Sequence, residues 1–187
     1  MNNILQIGLK IYYNSGIMNT TRSKGADFMR KQKIYLDTSV ISHLDQRDAP
    51  DKMADTLLLW EEIKQGLYDV AISQITLDEV GANKAEKRNL LLNYLAEIDY
   101  TFVELSPEIN AYADKLIDAD ILTMKSHDDC LHIASAVASN CDILLSWNFK
   151  HILRVKTING VRSISAILGY KGIDIIPPSM IVERRPE

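Results

Sequence analysis

Cysteine is scarce in this sequence of 187 residues, and the two cysteines that occur are isolated. Cys130 and Cys141 form no CxxC pair, which argues against a disulfide framework and against a four-ligand zinc cage. A reducing cytoplasm is the compartment that this cysteine usage favours.

Long apolar runs and an excess of positive charge are also missing. The N-terminal region has no stretch of about 18 apolar residues and no charged leader before an apolar segment, so neither a membrane span nor secretion is predicted. Lys and Arg total 21 against 25 Asp and Glu, which gives a net charge of -4. A nucleic-acid ligand would therefore need a local basic patch.

Glycine-rich phosphate loops are absent as well. Neither GxGxxG nor GxxxxGK followed by Ser or Thr occurs, which weighs against binding of a dinucleotide or a nucleoside triphosphate. What the chain does contain is 47% hydrophobic residues. That content is enough for one domain with a substantial core.

Short apolar stretches alternate with amphipathic helical segments along the chain. The predicted strands are residues 33–37, 68–73, 101–106 and 141–147, with 172–178 as a last edge strand or an extended tail. Ser106 followed by Pro107 predicts one helix start, and the last helix is predicted from Asn159. This alternation predicts an α/β fold, a three-layer α/β/α sandwich with a mainly parallel central sheet.

The strongly patterned region begins only after MRKQ, which sets the expected domain boundaries. We expect the domain to span residues 33–178. Residues 1–32 are interpreted as an N-terminal extension that is disordered or lies upstream of a true start at Met29. Residues 179–187 are interpreted as a C-terminal tail.

Two carboxylates follow predicted strands at the sheet edge where a site is expected. In parallel α/β sheets, the active crevice lies outside the carboxyl ends of the strands. Asp37 ends the first strand, and Glu79 lies just after the second. Each has a structural alternative, because Asp37 could cap the following helix and Glu79 could end a capping box that begins at Thr76. The sequence leaves these alternatives open.

The stretch HDDCLHIA, residues 127–134, combines histidines, aspartates and a cysteine. Apolar residues on most sides of this helix predict burial, and Cys130 is interpreted as a core residue that points away from Asp129, which disfavours zinc. Asp128 projects toward a different side, as a cap or an outer partner. We interpret His132 as a histidine hydrogen-bonded to a carboxylate, and Asp129 as the site residue.

The fourth predicted strand ends in polar groups. Ser146 and Asn148 lie at its carboxyl end, whereas Asp142 precedes the strand and is expected at the opposite end of the sheet. A basic cluster follows, which is either a surface for a ligand or an ordinary solvated face. Its members are Lys150, His151, Arg154 and Lys156.

Asp37, Glu79 and Asp129 thus come from three segments that an α/β sheet can bring together. Like charges at about 4 to 6 Å repel strongly unless a cation is present. Oxygen ligands of this kind suit Mg²⁺ or Mn²⁺ rather than soft metals. Such a centre supports phosphodiester hydrolysis, because it binds phosphate oxygens and lowers the pKa of a bound water.

Four segments, in their order along the chain, resemble the PIN domain, and in particular the VapC-like ribonuclease toxins of bacterial toxin-antitoxin pairs. They are IYLDTSVISHL, SQITLDEV, HDDCLHIASAV and CDILLSWNFKHI, and the later ILGYKGIDIIPP is similar to the end of one subgroup. The resemblance lies in the order of these segments rather than in any single motif. The resemblance covers residues 33–178.

The resemblance implies a metal-dependent endoribonuclease that uses Mg²⁺ or Mn²⁺ and hydrolyses RNA in the cytoplasm. It maps the catalytic metal ligands onto Asp37, Glu79 and Asp129, and it places Asn148 where members often have a fourth aspartate. It also implies inhibition by a small cognate antitoxin and, as in many members, a homodimer. Supporting residues would be Thr38, Ser39, Asp128 and Ser146, and contacts to the RNA backbone would come from Lys150, His151 and Arg154.

Asn148 in place of a carboxylate removes one negative charge and keeps an alternative open. The alternative is a catalytically weak PIN-fold module that binds RNA or a protein partner without cutting. A small-molecule phosphatase fits less well, because the DTS sequence at Asp37 lacks the second aspartate of a DxD pair.

Overall fold

The computed structural model of the chain describes residues 30–183. Residues 1–29 and 184–187 lie outside the described residues, and with them most of the predicted N-terminal extension and the end of the predicted C-terminal tail. Nearly all described residues belong to a unit that begins at Gln32.

Five strands form the central sheet. They are β1 (Lys33–Leu36), β2 (Asp69–Ser73), β3 (Thr101–Val103), β4 (Ile143–Leu145) and β5 (Asp174–Ile176). Their order across the sheet is β3-β2-β1-β4-β5, and every neighbouring pair is parallel. All five predicted strands are therefore present, and the last one is an edge strand rather than an extended tail.

Seven α-helices occur in residues 30–183. They are α1 (Thr38–Ser42), α2 (Pro50–Lys64), α3 (Gln74–Gly81), α4 (Ala85–Ala96), α5 (Pro107–Asp118), α6 (His127–Ala138) and α7 (Val155–Leu168). Short 3-10 helices lie at His43–Asp45, Met124–Ser126 and Pro178–Met180. Among these described elements, no helix has the length and apolar character needed to cross a membrane.

Helices cover both faces of the sheet. Side chains alternate along a strand, so Ile34 and Leu36 of β1 face one core while Tyr35 faces the other. The first core includes residues of α1, α2 and α4, and the second includes residues of α5, α6 and α7. The predicted three-layer α/β/α sandwich with a parallel sheet is confirmed.

Helix α7 begins earlier than the sequence pattern predicted. The prediction started at Asn159, whereas the helix starts at Val155. Gly160 therefore lies inside the helix, where a Cβ atom would come within 2.6 Å of the Ile121 side chain. The glycine permits close packing here and does not mark a helix boundary.

Candidate metal centre

Asp37 follows β1 directly, and only 5% of its surface is exposed. The residue occupies the N-cap position of α1, but its side chain makes no capping hydrogen bond. Its Oδ2 atom instead accepts hydrogen bonds from Ser39 Oγ at 2.6 Å and from Ser146 Oγ at 2.5 Å. The capping alternative is thus wrong for this carboxylate, whose orientation is fixed by two hydroxyl groups.

Glu79 lies on α3 and points to the same region. The capping box of this helix starts at Ser73, whose backbone N–H donates to Thr76 Oγ1 at 3.4 Å. Thr76 is therefore not the N-cap, and Glu79 takes no part in capping. Its Oε2 atom lies 3.0 Å from His132 Nε2, so the side chain is directed at α6.

The imidazole of His132 lies between these two acidic side chains. It is 1% exposed, and its Nε2 atom lies 3.0 Å from Glu79 Oε2 and 3.5 Å from Asp37 Oδ1. Burial alone would lower the pKa of His132, but the surrounding Tyr35, Asp37 and Glu79 raise that pKa well above 6.5. The two neighbouring carboxylates therefore favour the protonated, positively charged form of His132.

The same contacts act on Glu79. Burial raises the pKa of the Glu79 carboxyl, but the hydrogen bond and charge of His132, together with a hydrogen bond from Thr38, lower it below its usual value overall. An ionised Glu79 beside a buried cation is a charge-assisted pair. The predicted interpretation of His132 as a carboxylate-bonded histidine agrees with this geometry.

Sequence reasoning missed Tyr35 and Ser73, two residues of the sheet that position His132. Tyr35 Oη lies 2.8 Å from His132 Nδ1 and 2.6 Å from Ser73 Oγ. Both ring nitrogens of a protonated imidazole donate, so in that form the Tyr35 oxygen accepts from Nδ1 and the Tyr35 hydroxyl is left to donate to Ser73. A tyrosine in a buried apolar strand needs a partner for its hydroxyl, and that requirement is the signal that could have identified Tyr35.

Asp129 lies in the first turn of α6. Its Oδ1 atom accepts a hydrogen bond of 2.8 Å from Asn148 Nδ2. Burial is the largest effect on the pKa of Asp129 and raises it, the charge of His151 lowers it, the charge of Asp37 raises it, and His132 and Ser126 lower it by less, so that the pKa is raised overall. Asp129 thus lies near enough to Asp37 for their charges to interact, but it is not a member of the group formed by Asp37, Glu79 and His132, whose ligand atoms lie within 4.8 Å of one another.

Asn148 uses both ends of its amide. While Nδ2 donates to Asp129, Oδ1 accepts the backbone N–H of His151 at 3.0 Å. Its backbone N–H in turn donates to Ser146 Oγ at 2.9 Å. Beside Asp37, Glu79 and Asp129, the site thus contains the neutral side chain of Asn148, whose orientation is fixed by these hydrogen bonds.

The remaining predicted residues divide into those near the carboxylates and those in solvent. Thr38 Oγ1 lies 3.4 Å from His132 Nε2, and Ser39 and Ser146 contact Asp37 as described. Asp128, by contrast, is exposed, and its side chain has no hydrogen bond to another described residue. In the basic cluster, Lys150 and Arg154 are exposed, whereas His151 is half-buried with Nδ1 3.3 Å from Ser126 Oγ.

The structure therefore gathers most of the predicted site at the carboxyl edge of the sheet. Ligand atoms of Asp37, Glu79 and His132 lie within 4.8 Å of one another. Within residues 30–183, no Lys or Arg side chain forms an ion pair with these two carboxylates or with Asp129. Asp142, as predicted, lies at the other end of β4, where its Oδ2 accepts the Lys33 backbone N–H at 2.7 Å.

The fold and the site define an α/β protein with an acidic cluster at the carboxyl edge of a parallel sheet. Residues 34–152 match the family model of the PIN domain. Because this match spans more than half of the chain, the chain belongs to the PIN domain family, whose members are generally nucleases.

Comparison with solved structures gives a distant similarity. The crystal structure of VapBC2 from Rickettsia felis, bound to a DNA fragment from their promoter, shares 18% sequence identity with this chain at a TM-score of 0.49. The match covers 78% of this chain and 98% of that chain. No curated protein matches the sequence.

Proposed function

We propose that the chain is a metal-dependent endoribonuclease that hydrolyses phosphodiester bonds of RNA. The observation that supports this most is the convergence of Asp37 and Glu79 on His132 within 4.8 Å, with Asp129 held by Asn148 in the first turn of the helix that carries His132. The three carboxylates of Asp37, Glu79 and Asp129 outnumber the one basic side chain that contacts Asp37 and Glu79, His132, so the site retains an excess of acidic groups that a divalent cation would balance. Membership of a family of nucleases supports the same reaction class.

Mg²⁺ or Mn²⁺ is the cofactor that suits these donors. Carboxylate oxygens predominate, and hard divalent ions prefer oxygen ligands. Asp37, Glu79 and Asp129 would hold the ion. When bound, such an ion lowers the pKa of a coordinated water and stabilises negative charge on the phosphate.

The neighbouring side chains position the acidic groups. Ser39 and Ser146 hold Asp37 through its Oδ2 atom, and Asn148 holds Asp129. His132 directs Glu79 and balances its charge. Fixed carboxylates of this kind lose little freedom when they bind a ligand, which is the usual purpose of an outer layer of hydrogen bonds.

RNA would approach across the exposed segment after β4. Lys150 and Arg154 are exposed there and would contact backbone phosphates, which positions RNA without reading its sequence. His151 is half-buried against Ser126 and would form the wall between this segment and Asp129.

The biological role in this proposal is that of a cytoplasmic toxin whose partner is a small cognate antitoxin. This part rests on the sequence resemblance described above. Its test is expression of the chain in a bacterial host, where growth arrest relieved by the product of the neighbouring reading frame is expected. Normal growth during expression of a chain that is active in vitro would contradict the toxin role.

Cleavage is tested by incubating single-stranded RNA with wild type and with Asp129→Ala, first with Mg²⁺ and then with Mn²⁺. Wild type should cut, and Asp129→Ala should lose cleavage while it keeps the far-UV circular dichroism of the folded protein. The matched control is Asp78→Ala, because Asp78 precedes Glu79 on α3 but is exposed and bonded only to Gln74.

Two results would contradict the proposal. Full activity of Asp129→Ala would remove that residue from the site. A wild-type chain that binds RNA but does not cut it with either ion would instead support the catalytically weak binding module.

A further inference from the structure

An exposed aromatic side chain lies next to the acidic site and has no role in the proposed cleavage. Phe149 is 53% exposed, although a phenyl ring buries favourably when an apolar environment is available. It directly follows Asn148, whose amide contacts Asp129. Phe149 therefore adjoins in the chain a residue that bonds one of the site carboxylates.

The Phe149 ring is held on a rigid support. It packs against Trp147 with 6.3 Å between ring centroids and 40° between ring planes. Trp147 is itself fixed, because its Nε1 donates to Thr56 Oγ1 at 2.9 Å and its backbone N–H donates to Ser39 Oγ at 2.8 Å. Ser39 also donates a hydrogen bond to Asp37. Ser39 therefore connects the aromatic pair of Trp147 and Phe149 to the acidic site.

A lysine ammonium group accompanies these rings. Lys52 Nζ lies 5.2 Å from the centroid of Phe149 and 5.5 Å from that of Trp147. Within residues 30–183, no carboxylate forms an ion pair with Lys52. The cation is therefore held by aromatic faces and remains available to a phosphate.

We propose that Phe149 and Lys52 form a stacking site for an unpaired base of single-stranded RNA, beside the acidic cluster. Aromatic side chains combined with basic groups are the general means of binding single-stranded nucleic acid, because every base offers a flat face and every nucleotide a phosphate. In this arrangement Phe149 receives the base, and Lys52 receives an adjoining phosphate. This inference rests on the proposed function, since it names the residues that would bind the single-stranded RNA beside the proposed cleavage site.

A protein segment is the competing occupant of this surface. Phe149 and Met180 both line an open groove of about 470 Å³ between α7 and β5, and both side chains are exposed. The observations favour a base, because the Phe149 ring is paired with a cation and a tilted indole and it adjoins Asn148. Met180 provides the control that separates the two occupants.

The test is equilibrium binding of a short fluorescently labelled single-stranded RNA in EDTA, where cleavage is not expected. Replacing Phe149 by Leu keeps apolar bulk but removes the flat ring, and it should weaken binding by about 5- to 30-fold. Phe149→Tyr keeps the ring and should bind as wild type does. Lys52→Gln should weaken binding and reduce the salt dependence of log Kd by about one unit.

Two controls complete the test. Met180→Ala should bind the single strand as wild type does, and Phe149→Leu should not change binding of the same RNA annealed to its complement. The inference is overturned if Phe149→Leu binds the single strand as tightly as wild type, if Met180→Ala causes an equal loss, or if wild type does not bind the single strand. A further outcome separates the two proposals. If Phe149→Leu weakens binding of the single strand but wild type never cuts RNA with Mg²⁺ or Mn²⁺, the proposed cleavage is contradicted and the stacking site is supported.

Discussion

The side chain at position 148 determines how much negative charge the site contains, and Asn148 is neutral. Its Nδ2 atom donates to Asp129 at 2.8 Å, so Asn148→Asp would replace a donor by a second carboxylate that faces the first. Like charges at this separation repel strongly. In EDTA, the variant should lose about 1 to 3 kcal/mol in the free energy of unfolding, because a hydrogen bond to a charged group is lost as well.

Added Mg²⁺ should return much of this loss, since an ion that binds only the folded state stabilises it by mass action. Urea denaturation with and without Mg²⁺ measures both effects. Asn159→Asp is the matched control, because Asn159 is exposed on α7 and its replacement should change stability by less than about 0.5 kcal/mol. Equal stability of Asn148→Asp and wild type in EDTA would contradict the repulsion that the geometry requires.

At the residue scale, the carboxylates could be predicted from sequence because each follows an apolar strand or opens a buried helix. Their partners could be predicted only in part, because the sequence indicated that His132 bonds a carboxylate and that Ser146 supports the site, but not which carboxylate each one contacts. His132 meets Glu79 across 53 positions of the chain, and Ser146 meets Asp37 across 109. No local pattern reports which side chains meet at such separations, so the capping interpretations of Asp37 and Glu79 remained open until the atoms were placed.

Among the helices, α5 has the start signal that is clearest in both sequence and structure. Ser106 is its N-cap, and the Ser106 Oγ atom accepts the backbone N–H of Ile109 at 3.2 Å. Ser106→Ala should therefore reduce the free energy of unfolding by about 1 kcal/mol, because one N–H at the helix start loses its acceptor. The measurement is the urea midpoint at constant slope.

Ser163→Ala serves as the comparison for this cap. Ser163 is exposed in the interior of α7, where its hydroxyl donates to the Asn159 carbonyl. Alanine is the better helix former in that position, so this variant should be as stable as wild type or slightly more stable. If both serine variants lost equal stability, the effect of Ser106 would not be a capping effect.

The sequence predicted the types of the secondary-structure elements more reliably than the residues at which they begin and end. The strands were predicted because apolar runs stop at polar residues, but β3 and β4 are only three residues long in the structure. Strand ends depend on where a neighbouring strand stops pairing, which a single strand does not encode. The start of α7 was predicted too late because Arg154, the residue at its N-cap position, makes no side-chain capping hydrogen bond and is not a residue type that marks a helix start.

For the whole molecule, the site couples folding stability to pH. Folding brings Asp37 after β1, Glu79 on α3 and His132 on α6 together in the interior, and the two acidic groups and Tyr35 raise the pKa of His132 well above 6.5. A histidine whose pKa is raised on folding stabilises the native state fully at pH values below about 6.5. The contribution is then lost as pH rises from there through the raised pKa of the folded state.

In EDTA, the free energy of unfolding of the wild type should therefore fall by about 1 kcal/mol for each pH unit above pH 7. His132→Gln can still donate a hydrogen bond to Glu79 but cannot titrate, so its slope over the same range should be smaller by that amount. Urea denaturation at several pH values between about 7 and 8.5 gives both slopes.

Comparing slopes rather than absolute stabilities removes the groups that the two proteins share. The Cys130 thiol, for example, has its pKa raised by burial to about 12, and it contributes equally to both proteins. Glu79 does not interfere, because its pKa is lowered from 4.5 and its own contribution is lost only in acid, as pH falls through that lowered value. Parallel slopes for wild type and His132→Gln would show that His132 is neutral in the folded protein, and the charge balance assigned to the site would then be wrong.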